Sequence, residues 1–175
     1  VSGLLLEREY TVITEAMEKP KRPLVAVLGG AKVSDKIGVV ERFVALADTI
    51  LVGGAMANTF LAYKGYNLGK SKIESDQKET LDKLYEAARA KIGEKVDEFI
   101  ILPTDVAVAK SVDADQKRTL RLVDDIHESD LALDIGDISI ERFTAIVAGA
   151  KTVIWNGPMG MDELLEFSHG SARMC

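Results

Sequence analysis

Two short apolar runs, each closed by a glycine pair and each followed by a helical pattern, restrict this chain to few folds. Residues 24–28 read Leu-Val-Ala-Val-Leu and end in Gly29 and Gly30; residues 50–52 read Ile-Leu-Val and end in Gly53 and Gly54. An uninterrupted apolar run of this length suits a parallel strand covered on both faces. The second unit follows the first by ~25 residues, about one strand–helix–strand repeat. Both glycine turns then fall on the carboxyl edge of one sheet, where ligands of open α/β sheets bind.

The sequence after the first turn is Ala31-Lys32-Val33-Ser34-Asp35-Lys36-Ile37. Read as the opening of a helix, it offers unpaired N–H groups and a positive dipole end to a phosphate. Lys32 and Lys36, four apart, would share one helix face, a costly pairing unless an anion comes between them. An ordinary strand-to-helix turn with solvated lysines fits the same residues, and spacing alone leaves both readings open. The loop is neither a dinucleotide fingerprint nor a Walker A motif.

The rest of the chain extends the alternation. Residues 3–18 have helical spacing and end before Pro20 and Pro23. Residues 37–46 form an amphipathic pattern with Val40 and Val44 inward, and a helix starts near Ala55. Residues 65–71, Gly-Tyr-Asn-Leu-Gly-Lys-Ser, fail as a P-loop: the glycines are too close and a helix precedes them. Gly65 reads as a helix terminator. Residues 74–90 predict a helix, 99–102 a strand, 105–109 an extended segment, and 120–123 a short strand, antiparallel at an edge. A strand at 131–136, a helix at 138–150, a strand at 152–155, a tight exit at Asn156-Gly157-Pro158 and a helix opening at 163–169 complete the pattern. The expected fold is a doubly wound, Rossmann-like α/β domain, its sheet mostly parallel with helices on both faces.

A formal net charge of -6 without like-charge blocks argues against a nucleic-acid-binding face. The one cysteine, Cys175, cannot form an internal disulfide, so a reducing intracellular setting is the default. No apolar run is long enough to span a bilayer. The first residue is valine, so the chain is expected to begin inside a longer protein. Among single residues, Met56, Phe60 and Trp155 read as core. His127 and His169 read as surface residues without metal partners, Asp35 as support for the first helical turn, and Asp134 as a turn former. Glu163 is balanced between ligand and exposed helix carboxylate.

Three stretches, Gly29-Gly30-Ala31-Lys32-Val33-Ser34-Asp35-Lys36-Ile37, Gly53-Gly54-Ala55-Met56-Ala57-Asn58-Thr59-Phe60-Leu61 and Trp155-Asn156-Gly157-Pro158-Met159-Gly160, resemble the carboxyl-terminal domain of the phosphoglycerate kinase family, in order and over essentially the whole chain. Leu133-Asp134-Ile135-Gly136 is similar to a further family segment. The resemblance implies one domain of a two-domain kinase. Such a kinase transfers the acyl phosphate of 1,3-bisphosphoglycerate to ADP with Mg2+, giving 3-phosphoglycerate and ATP, in glycolysis and in the cytoplasm.

By the same resemblance, Lys32 stabilises the transferring phosphoryl group and Lys36 contacts nucleotide phosphates. Gly29, Gly30 and Ala31 let the backbone approach the nucleotide. Gly53 and Gly54 line the adenine side opposite Ala132 and Leu133. Asn156 and Pro158 border the phosphate and ribose, and Glu163 meets the ribose hydroxyls. Residues 1–19 match part of the interdomain helix and 20–175 a nucleotide-binding domain cut short at its carboxyl end. Ala55 and Ala132 stand where many members have glycine, and Asp162 where an aromatic is usual. The family's Gly-Gly-Gly-Asp-Thr motif, with its magnesium-linked aspartate, and the phosphoglycerate-binding domain do not occur in this sequence. The isolated chain is therefore expected to be catalytically incompetent. The family is monomeric, and self-association through an unpaired sheet edge is an expected property of such a fragment. The alternative is a non-catalytic nucleotide-binding or scaffold module on the same fold.

Overall fold

The computed structural model describes residue 17, residues 19–113 and residues 115–175. The helix expected at 3–18, and with it the interdomain assignment, lies outside the described residues apart from Met17 and Lys19. In chain order the elements are β1 (Leu24–Leu28), α1 (Ile37–Leu46), β2 (Thr49–Val52), α2 (Gly54–Tyr63), α3 (Lys78–Ile92), α4 (Val96–Phe99), β3 (Ile100–Ile101), β4 (Asp105–Ala109), β5 (Thr119–Leu122), β6 (Leu131–Ile135), α5 (Asp137–Ala148), β7 (Thr152–Asn156) and α6 (His169–Met174).

The parallel sheet has the order β3-β2-β1-β7. All five residues of β1 are buried, as the apolar run predicts. Their alternation divides two cores. Leu24, Ala26 and Leu28 pack with Val40, Phe43 and Val44 of α1, Phe60 of α2 and Leu84 of α3. Val25 and Val27 point the other way, toward Ile140 and Phe143 of α5 and Met174 of α6. Helices therefore cover both faces, and the doubly wound reading holds. The chain builds outward from β1 through β2 to β3, then returns to place β7 on β1's other side. That reversal puts a topological switch point between β1 and β7.

A second sheet, ordered β5-β4-β6, is antiparallel throughout. The segments at 105–109 and 131–136 thus pair with each other instead of extending the parallel sheet. The edge strand expected at 120–123 is β5, one residue earlier, with Leu120 and Leu122 exposed.

Four local expectations change. The strand expected at 99–102 is only Ile100–Ile101, because Phe99 is buried at the end of a helical turn. The helix expected from 74 begins at Lys78, because Asp76 before it has a φ of +60°, which an α-helix cannot include; it stops at Gly93, whose φ of +72° suits glycine. The helix expected at 163–169 is instead a loop with a 3-10 turn at Leu165–Phe167, followed by α6. Phe167 is buried there while Leu165 is exposed. Asp134 is no turn former: it lies within β6 and is buried.

Trp155 is half-buried against the α5 side of the sheet, and its indole N–H donates to the Gly157 carbonyl at 2.7 Å. Met56 and Phe60 are fully buried, as expected. No helix among the described residues is long and apolar enough to cross a membrane.

Candidate functional site

The exits of β1, β2 and β7 are stitched together by backbone hydrogen bonds. Gly29 N–H donates to the Asn156 carbonyl (2.9 Å), Gly30 N–H to Pro158 (2.9 Å), Gly54 N–H to Met159 (2.7 Å) and Met56 N–H to Gly30 (2.8 Å). A side chain at Gly29 would collide with the Pro158 carbonyl, and one at Gly53 would meet the Met159 sulfur at 2.5 Å. Both glycines are thus required by the packing of three loops against one another. Gly30 and Gly54 carry positive φ, +95° and +61°, which only glycine adopts without strain.

Above this floor is a cavity of about 350 Å³. Gly30, Ala31 and Ala55 form one side, Leu131, Ala132 and Leu133 of β6 the opposite side, and Pro158, Gly160, Met161 and Glu163 the end beyond β7. Lys72 and Val112 complete the rim. Six of the sequence-predicted site residues therefore line one cavity: Gly30, Ala31, Ala132, Leu133, Pro158 and Glu163. Gly29, Gly53, Gly54 and Asn156 lie beneath it as supports. Glu163 is exposed, at the cavity edge.

The two lysines are placed differently from their expected positions. α1 starts at Ile37, and a 3-10 turn at Ser34–Lys36 precedes it. Lys32 therefore sits in the loop, exposed, and shares no α-helix face with Lys36. Lys36 is half-buried, and its ammonium donates to the Gly29 carbonyl at 2.9 Å. Burial lowers its pKa below the usual lysine value, with Asp35 opposing the shift.

The backbone donors expected to await a phosphate are also engaged. The Val33 and Ser34 N–H groups both donate to Glu74 Oε2, at 2.7 and 3.1 Å, and the Ser34 hydroxyl donates to Glu74 Oε1. An internal carboxylate occupies this N-terminal nest. Burial alone would raise the Glu74 pKa; the hydrogen bonds from Ser34 and Val33, with the charge of Lys32, outweigh it and hold the carboxyl below its usual range.

A buried carboxylate also organises the β7 exit. Asp134 accepts the N–H of Gly170 at 2.9 Å and that of Ile135 at 2.8 Å. A Cβ on Gly160 would lie 2.5 Å from its carboxyl carbon, and one on Gly170 would strike its Oδ1. Asp134 thus ties α6 and the 157–163 loop to β6. Desolvation raises its pKa to about 7, against the pull of the two amides and Arg118 and with reinforcement from Asp162.

Sequence reading missed Lys72, Val112, Met161, Glu74 and the buried setting of Asp134. The first three lie on loops whose place at the rim depends on β6 and β7 coming together. Glu74 sits 40 residues from Ser34, and only the helix that fails to begin at residue 74 could have hinted at its role. Among the described residues no group of three or more His, Cys, Asp or Glu side chains could hold a metal ion.

Parallel strands wrapped on both faces, with a cleft over the switch point, define an α/β domain of the class that takes its ligand beyond the strand ends. The phosphoglycerate kinase family model matches residues 1–175. A phosphoglycerate kinase of Listeria welshimeri is 45% identical over 174 residues, covering 99% of this chain and 42% of that protein. One from Chloroflexus aurantiacus is 46% identical over 171 residues, again covering 42% of its length. The solved structure of the phosphoglycerate kinase from Coxiella burnetii superposes with a TM-score of 0.89 at 36% identity, over 98% of this chain and 43% of that one. That from Pyrococcus horikoshii OT3 gives 0.77 at 31%. The chain belongs to the phosphoglycerate kinase family, and it spans about 42% of the length of these relatives.

Proposed function

We propose that this chain is the nucleotide-binding part of a phosphoglycerate kinase, with ADP or ATP in the cavity between the β1 exit, β6 and the β7 exit. The observation that carries the reading is the convergence of Gly30, Ala31, Ala132, Leu133, Pro158 and Glu163 around one cavity. The apolar side chains of β6 suit a base, and the exposed carboxylate of Glu163 suits ribose hydroxyls. Lys32 is free to reach a terminal phosphate, while Lys36, anchored on Gly29, supplies fixed charge at the loop's base.

Phosphoryl transfer asks a protein for positioning and charge stabilisation, and a preorganised ammonium favours the transition state over the ground state. The reaction is reversible transfer between 1,3-bisphosphoglycerate and ADP, a phosphotransferase step with a carboxyl group as acceptor, in cytoplasmic glycolysis. Phosphoglycerate is assigned to a second domain outside this chain, so the isolated chain turns over little or nothing. With no carboxylate cluster among the described residues, Mg2+ enters bound to the nucleotide phosphates, and no protein-held metal step is assigned.

Calorimetric titration of the chain with ADP, with and without Mg2+, tests this reading. Binding that weakens about tenfold in Lys36→Ala, the effect of losing one charge-assisted contact, is the expected result. A folded chain that binds no ADP overturns it.

A further inference from the structure

Glu74 lies outside the lining of the nucleotide cavity and 40 residues along the chain from Ser34, yet its side chain is heavily engaged with the loop that carries Lys32. Its two oxygens take the Val33 and Ser34 N–H groups and the Ser34 hydroxyl. Its own N–H donates to Thr59 Oγ1 at 3.1 Å, and the Thr59 hydroxyl donates back to the Ala55 carbonyl at 3.5 Å. A continuous path thus runs from α2, whose Ala55 is a cavity wall residue, through Thr59 and Glu74, to the residue immediately following Lys32.

Val33 is itself fully buried, so the loop is pinned at this point by both packing and hydrogen bonds. Lys32, just before the pinned residue, makes no ion pair among the described residues. The carboxylate also takes up the Val33 and Ser34 N–H groups, so these two amides are not open to an incoming phosphate, which the loop's ammonium groups can meet instead.

We infer that Glu74 is a positioning residue for Lys32: by occupying the Val33–Ser34 nest it fixes where the Lys32 ammonium meets the terminal phosphate of a nucleoside triphosphate. The inference rests on the nucleotide reading above. Because Lys32 is assigned to the transferring phosphate, which ATP has and ADP lacks, the ratio of ATP to ADP affinity isolates its contact.

The experiment measures Mg-ATP and Mg-ADP affinities by calorimetry for the unsubstituted chain, Glu74→Ala, Glu74→Gln, Lys32→Ala and the Glu74→Ala/Lys32→Ala pair, with circular dichroism on each. Glu74→Ala is expected to lower the ATP-to-ADP affinity ratio about fivefold, the scale of one lost hydrogen-bonded contact. Glu74→Gln, which keeps an acceptor for the amides and remains folded, restores at least half of that ratio. In the Lys32→Ala background, Glu74→Ala lowers the ratio no further, since residues acting as a unit are non-additive. A purely structural role would weaken both nucleotides equally and leave the ratio unchanged; that result, or additive effects in the pair, overturns the inference alone. An unsubstituted, folded chain that binds neither nucleotide overturns the nucleotide reading and this inference with it.

Discussion

The two sheets are held together by different physics. The parallel sheet is an apolar construction: β1 contributes five buried aliphatic residues, and the glycines at its exits let loops touch backbone to backbone. The antiparallel sheet is fastened by buried carboxylates. Asp105 in β4, Asp130 just before β6 and Asp134 within β6 are 2%, 1% and 4% exposed. Asp105 caps α5 from a distant strand, accepting Ile138 N–H (3.1 Å), Ser139 N–H (2.8 Å) and the Ser139 hydroxyl (2.5 Å). Asp130 receives Lys110 at 2.5 Å and the His127 N–H at 3.0 Å. Apolar packing is non-directional and tolerates moderate change. A buried carboxylate fixes orientation, and its removal leaves buried donors unpaired. The sheet that forms the β6 side of the cleft is thus the one whose geometry is most strictly specified.

That contrast can be broken from either side. Phe60→Ala, in the fully buried core beside the parallel sheet, is expected to cost ~3–5 kcal/mol in urea unfolding. A loss below about 1 kcal/mol would show that this core does not carry the stability. On the antiparallel side, Asp105→Ala strands two backbone donors and a hydroxyl and is expected to cost ~2–4 kcal/mol. Asp105→Asn, retaining one acceptor oxygen, should recover part of it; equal losses in the two variants would mean that capping is not the cause.

Asp134 sharpens the comparison through pH. Its pKa rises from 3.8 in the unfolded chain to about 7 in the fold, so between those values the native state binds the extra proton and stability falls as pH increases. The contribution is complete below pH 3.8 and is lost as pH passes through about 7. Asp134→Asn keeps an acceptor and removes the ionisation. It should flatten that slope and raise stability at pH 8 by on the order of a few kcal/mol relative to the unsubstituted chain. Parallel denaturation curves for both proteins from pH 5 to 8 would contradict it.

The smallest expected effect is also a gain. The Tyr85 hydroxyl, on α3 beside the parallel sheet, is buried without a hydrogen-bond partner among the described residues, and desolvation drives its pKa up. Tyr85→Phe removes that cost while keeping the ring stacked on Tyr63 at 5.4 Å. A gain of up to ~1 kcal/mol in thermal unfolding is expected, whereas a loss would mean the hydroxyl is partnered in solution.

The strand–turn–helix units are written locally along the chain. Residues 24–28 and 50–52, the helix at 37–46 and the stop at Gly65 were legible because apolar period and glycine conformation act within a few neighbouring residues. The cavity wall at Gly30, Ala31 and Pro158 followed from where such turns gather. That 105–109 and 131–135 form a separate antiparallel sheet, that Lys32 stands off the helix, and that Glu74 fills the nest expected to await phosphate emerges only in the folded chain. Each depends on partners tens of residues apart. A free N–H, a buried aspartate and a strand's choice of neighbour are settled by which distant group arrives to exclude water, and no local pattern records that arrival.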